Sequence, residues 1–141
     1  VAGRATTVID ASVATKWFLQ EEHSEPAAGL RDAHVRGLVR LLAPSLIVYE
    51  VSNVLRYHPR VGSELLADHI ADLLALDLGL DPPSEEAIRE AVRLAYRAGI
   101  TVYDAAYVAL AQRFDCPLVT ADAQQLAAAG SRGTHIKDWI G

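Results

Sequence analysis

The apolar and polar positions divide the chain into short apolar runs and longer helical stretches that alternate along its length. Residues 6–9 (Thr-Thr-Val-Ile) form a β-branched run ending at Asp10 and predict a short buried strand. Helical sequence follows at once over 11–20. Ser24 is placed to cap a second helix, with Pro26 in its first turn and Gly37 as its stop. Residues 39–43 predict a second strand.

After Pro44, residues 45–57 have helical length and periodicity. One stripe, Ile47, Val51, Val54 and Leu55, is wholly apolar. The neighbouring stripe of Leu46, Tyr49, Glu50, Asn53 and Tyr57 carries one acid and one amide. His58-Pro59 ends the helix, because the residue before a proline is pushed out of the helical region. Ser63 begins an amphipathic helix over 64–76. Pro82-Pro83 breaks the chain, and Ser84-Glu85-Glu86 opens a helix that Gly99 closes. A helix over 104–114, with Asp104 as its candidate cap, precedes a strand at 118–120. A helix over 123–129 is closed by Gly130, and a last short strand is expected at 135–136.

Strands alternating with helices predict an α/β fold, a helix-covered and mostly parallel sheet. No repeat, low-complexity tract or linker interrupts the 141 residues, so a single domain over 1–141 is expected. The 51% hydrophobic and 22% charged content suits a globular chain with a substantial core and excludes disorder. No run approaches the roughly 18 apolar residues of a membrane span. The one cysteine, Cys116, makes no internal disulfide and reads as a small buried residue, which favours a cytoplasmic location.

The net charge of −5 argues against a broad basic nucleic-acid surface, unless the acids are concentrated where bound cations reverse the local sign. Four carboxylates stand out by position. Asp10 and Asp122 lie just past predicted strand ends, where ligands sit in open α/β sheets. Glu50 interrupts an otherwise apolar helix. Asp104 opens the run Ala105-Ala106-Tyr107-Val108-Ala109-Leu110. The three aspartates also suit helix caps. Glu50 has no such explanation, since buried glutamate is rare unless paired.

Four converging carboxylates would repel one another by several kcal/mol in total at an effective dielectric of about 20. A divalent cation resolves the conflict. All-oxygen donors favour Mg²⁺ or Mn²⁺, because neither His nor Cys recurs at ligand spacing. Such an ion supplies an activated water and stabilises charge on a phosphodiester, so no protein nucleophile is needed. Ser12, Asn53 and Thr120 are candidates to orient these acids, and equally suit a helix-start serine, a solvated helix residue and a strand threonine. The histidines (His23, His34, His58, His69, His135) share no spacing, and Arg31, Arg36, Arg40, Arg56 and Arg60 default to solvated faces. A phosphoacceptor receiver domain would need a lysine after a late strand, which neither Lys16 nor Lys137 provides.

Four segments together resemble the PIN-domain family: Val8-Ile9-Asp10-Ala11-Ser12; Pro44 to Leu55 with Glu50 and Asn53; Thr101-Val102-Tyr103-Asp104-Ala105-Ala106-Tyr107-Val108-Ala109-Leu110-Ala111; and Leu118-Val119-Thr120-Ala121-Asp122. They occur in the family's order and span nearly the whole chain. The resemblance implies a three-layer α/β/α sandwich with a central parallel sheet and Mg²⁺- or Mn²⁺-dependent RNA cleavage. By match to the motifs, Asp10, Glu50, Asp104 and Asp122 would be the catalytic, metal-binding cluster, with Ser12, Asn53 and Thr120 around it. Compact members are commonly VapC-type toxins, usually homodimeric and inhibited by a small cognate antitoxin. A processing nuclease outside such a pair, or a non-catalytic module of the same fold, are the alternatives. Many relatives carry a further acid after the fourth motif, whereas Ala123-Gln124-Gln125-Leu126 supplies none, which points to one well-supported metal site.

Overall fold

The structure, a computed structural model, describes residues 5–141. Strand β1 (Ala5–Ile9) runs directly into a one-turn helix, α1 (Ala11–Thr15), followed by α2 (Ser24–Val35) and β2 (Val39–Pro44). Two helices, α3 (Leu46–Arg56) and α4 (Ser63–Ala75), lead to β3 (Gly79–Asp81). Then come α5 (Glu85–Ala98), α6 (Val102–Arg113), β4 (Leu118–Thr120), α7 (Ala123–Ala129) and β5 (Gly133–His135), with 3₁₀ turns on either side of β5.

The strands form one parallel sheet in the order β3-β2-β1-β4-β5, flanked by helices as the α/β reading expects. Val8 faces both Leu42 and Leu118 across its two ladders, so β1 is the central strand. Its last three residues are buried, as a strand covered on both faces requires. Helix α6 packs on β1, β2 and β4, while α2 and α3 pack on β2. The core joins Val8, Ile9, Leu41, Ile47, Val51, Leu55, Val108, Leu110 and Leu118.

Several local expectations are corrected. The helix expected over 11–20 stops at Thr15, because the next amides bond three residues back and the Trp17 indole donates to Ala27 O at 2.8 Å. Ser24 is not a cap. It is the first residue of α2, and its hydroxyl accepts from Glu21 N–H and donates to Leu19 O, fastening the preceding turn. Strand β3 was not expected, since Gly79-Leu80-Asp81 is too short to show a period. The last strand lies at Gly133–His135 rather than 135–136, and Ile136 instead starts a 3₁₀ turn with its side chain in the core. Val54, placed on the apolar stripe, is 48% exposed.

Two expected stops hold: Ser84 caps α5 by accepting from Ala87 N–H, and Gly99 ends it at φ 69°, where a side chain would be strained. His34 is buried and fully bonded. It accepts from Leu41 N–H at Nδ1 and therefore donates from Nε2 to Leu76 O, tying α2 to β2 and to the end of α4.

Leu41 is fully buried on β2, between β1 and β3. Leu41→Ala should cost about 2–5 kcal/mol in urea-induced unfolding, the usual range for a buried leucine truncated to alanine.

Candidate active site

The chain travels from β1 outward to β2 and β3, then returns across β1 to β4 and continues to β5. Connections therefore leave β1 and β4 in opposite directions, and a crevice opens at the carboxyl ends of these two strands. Asp10 follows β1 directly, and Asp122 lies two residues past β4. Both stand at this switch point.

Each aspartate also caps a helix. Asp10 is buried, accepts the Ser12 hydroxyl at Oδ1 (2.7 Å), and receives Val13 N–H at the start of α1. Asp122 Oδ1 accepts Gln125 N–H at 2.8 Å, opening α7. Asp104 does not cap α6, which corrects that expectation. Thr101 is the cap, its Oγ1 accepting Asp104 N–H at 3.0 Å, and Asp104 sits half-buried in the first turn with its carboxylate not used in the cap. Glu50, half-buried on α3, is reached from α6 by the Tyr107 hydroxyl, which donates to Oε1 at 2.5 Å.

The electrostatics bind these residues into one cluster. Burial raises the Asp10 carboxyl to about 6, against the lowering pull of the Ser12 bond. Burial also raises Glu50, opposed by the Tyr107 bond and reinforced by the negative charge of Asp104. Asp104 is raised by burial and by the charge of Asp122, opposed by the Thr101 bond. The phenol of Tyr107 is pushed far above its ordinary range by burial, by its bond to Glu50, and by the charges of Glu50, Asp10 and Asp104. Among the described residues none of the four carboxylates has a Lys, Arg or His partner. Oxygen donors that repel one another and lack a counter-charge fit a hard divalent cation. They do not form a ready cage, because no group of three or more His, Cys, Asp or Glu among the described residues is arranged to hold a metal ion by itself.

Ser12 and Thr120 both lie beside the strand-end aspartates. Ser12 bonds Asp10 and accepts Ala121 N–H, while Thr120, fully buried, accepts Asp122 N–H. Asn53 is not brought in: it is exposed on α3, and its side chain makes no hydrogen bond among the described residues. Two residues enter that the sequence reading did not single out as site residues, Tyr107 and Gln125. Gln125 takes the Thr120 hydroxyl at Oε1 (2.8 Å) and directs Nε2 to Asp104 Oδ1 (3.5 Å). Each lies three residues after a candidate acid on a helix, the spacing that shares a face, and that was the available signal.

The family model described as PIN domain matches residues 7–131. The chain belongs to the PIN-domain family. This PIN domain is 36% identical over 121 residues to Ribonuclease VapC3 of Pyrobaculum aerophilum, covering 83% of this chain and 89% of that protein. Two solved structures share the fold. PAE2754 from Pyrobaculum aerophilum aligns with a TM-score of 0.70 at 23% identity over 96% of this chain and 88% of that one. FitAcB from Neisseria gonorrhoeae aligns with a TM-score of 0.68 at 14% identity over 94% and 99%.

The raised Asp10 carboxyl makes apo-protein stability depend on pH. Unfolded, the group releases its proton near 3.8, whereas folded it holds it to about 6. Its destabilising effect is therefore absent below the first value, grows between the two, and is complete above the second. At about 1.4 kcal/mol per unit this reaches about 3 kcal/mol. In chelator, Asp10→Asn keeps an acceptor for Ser12 and Val13 and should unfold at higher urea than wild type at pH 7, with the gain vanishing near pH 4.

Proposed function

We propose that this PIN domain is a single-domain, metal-dependent endoribonuclease that hydrolyses RNA phosphodiester bonds as the toxin of a VapBC-type toxin–antitoxin pair. The observation that carries the reading is the carboxylate cluster around the Tyr107 hydroxyl. The charges of Glu50, Asp10 and Asp104 act on that phenol and the charge of Asp122 acts on Asp104, and among the described residues none of the four has a protein cation. The similarity to a ribonuclease over most of the chain supports RNA as the substrate.

Asp10, Glu50, Asp104 and Asp122 would hold Mg²⁺ or Mn²⁺. When bound, such a cation acidifies a coordinated water and offsets negative charge on the phosphate. The chain's own part is to orient the acids: Ser12 fixes Asp10, Tyr107 fixes Glu50, and Thr101 sets the first turn that presents Asp104. Burial lowers the local dielectric and strengthens the attraction between the ionised acids and a cation.

We place the protein in the cytoplasm with a small cognate antitoxin as partner, on its similarity to Ribonuclease VapC3 over most of the chain. A homodimer is supported by an apolar groove of about 320 Å³ bounded by Tyr49, Ile88, Val102 and Tyr103, all of them exposed. A second reading, a partner-binding module without catalysis, is favoured by the lack of a preformed three-ligand cluster among the described residues.

Purified protein should cut RNA with Mg²⁺ or Mn²⁺ and stop with EDTA. Asp104→Asn should lose more than about 100-fold in rate, beyond the 10–100-fold typical of residues that only support a metal ligand. Cleavage by that variant at the wild-type rate would sink the site assignment, and calorimetry without a Mn²⁺ signal would favour the binding module. For the dimer, Ile88→Glu should shift the light-scattering mass from two chains to one.

A further inference from the structure

We propose that Gln125 is a positioning residue that holds Asp104 in the carboxylate cluster and limits the cluster to one divalent cation. The inference rests on the cation-dependent reading given above. Gln125 is 1% exposed, and its main chain and side chain serve two different acids. Its N–H binds Asp122 Oδ1, and its side-chain Nε2 faces Asp104 Oδ1.

The orientation of the amide follows from its neighbours. The Thr120 hydroxyl oxygen accepts Asp122 N–H and its proton goes to Gln125 Oε1 at 2.8 Å. That occupies the carbonyl end of the amide, so the NH₂ end is the one turned toward Asp104. On the other side of Thr120, 3.5 Å away, lies the Ser12 hydroxyl, which donates to Asp10. A polar chain thus runs across the strand ends from Asp10 through Ser12, Thr120 and Gln125 to Asp104, and Gln125 is its last link.

The chemistry of the amide sets the charge of the site. Among Ala123-Gln124-Gln125-Leu126, Gln125 is the buried polar side chain that faces an acid of the cluster. Its one acceptor oxygen is used by Thr120, and its nitrogen is a donor that neither ligates a cation nor carries charge. Glutamate has the same shape. At this position it would still accept from Thr120, but it would turn an anionic oxygen toward Asp104, a repulsion that a shared proton or a bound cation would offset. The amide therefore orients Asp104 without adding a fifth negative charge.

The test is a Mn²⁺ titration of metal-stripped wild type, Gln125→Leu and Gln125→Glu, followed by calorimetry and by the electron paramagnetic resonance signal of free Mn²⁺. Thermal melts of the metal-free proteins confirm that each is folded. Wild type should bind one Mn²⁺ per chain. Gln125→Leu should bind about 10–100-fold more weakly, the usual cost of losing support for a metal ligand. Gln125→Glu should bind at least about 10-fold more tightly or take up a second Mn²⁺, because it adds an acid beside Asp104. A purely structural role would lower the melting temperature of both variants and would not raise affinity in the glutamate variant. Wild-type affinity and stoichiometry in both variants, or two Mn²⁺ in wild type, would overturn the assignment of Gln125 alone. Absence of Mn²⁺ binding in all three proteins would overturn the nuclease reading and this inference with it.

Discussion

Val8 and Ile9 pair in parallel with Leu118 and Val119, and the geometry of the acidic crevice follows from this one short ladder. Parallel pairing points both strands the same way, so the first residue beyond β1 and the loop beyond β4 emerge together. The sheet order makes this ladder the place where the chain's direction of travel reverses, which keeps the space above it free of connections. Helix α6 packs on the same central strands and thereby delivers Asp104 and Tyr107 to the crevice from one side. Helix α3, docked on β2, presents Glu50 to that same tyrosine. A slip in the β1–β4 register would dismantle the site while leaving each helix intact.

The cluster also shows how a fold tolerates charge it would otherwise reject. Asp10 and Asp122 cap α1 and α7, so each accepts a backbone N–H that a helix start leaves unsatisfied. At Asp10 the hydrogen bonds favour the ionised form, and burial opposes it. For Asp10, burial prevails. Buried Tyr107 makes a comparable compromise, giving its hydroxyl the partner it needs and giving Glu50 a donor. The remaining imbalance, several acids with no basic partner among the described residues, is the physical content of the functional assignment.

How much of this could be read beforehand depended on range. Asp10 and Asp122 were legible because a strand-end acid is a local pattern. Glu50 was legible as a misfit on an apolar helix. The capping role of Thr101 was missed because Asp104, three residues on, is itself a good cap and drew the assignment. Tyr107 and Gln125 were passed over because a tyrosine among alanines and a glutamine after a strand read as core and surface until their partners, 57 and 21 residues away, are known. Asn53 is the opposite case. Its spacing from Glu50 is right, but the helix rotates it into solvent. The three residues of β3 and the early end of α1 were decided by tertiary contacts, the sheet edge in one case and the Trp17 indole in the other.

Helix α6 is fastened at both ends by different means. Its N-terminal turn carries Asp104 and leads to Tyr107, and its last residue, Arg113, forms a close ion pair with Asp81 at the end of β3 and a looser one with Glu90 of α5. Arg113 and Asp81 also line the apolar groove. The helix is thus a rigid rod roughly 14 Å from Asp104 to Arg113 at about 1.5 Å per residue. Its distal anchor borders the groove proposed above as the dimer face. The groove runs along this one helix from Val102 and Tyr103, beside Asp104, to Arg113, so a surface and the acid cluster share a single element.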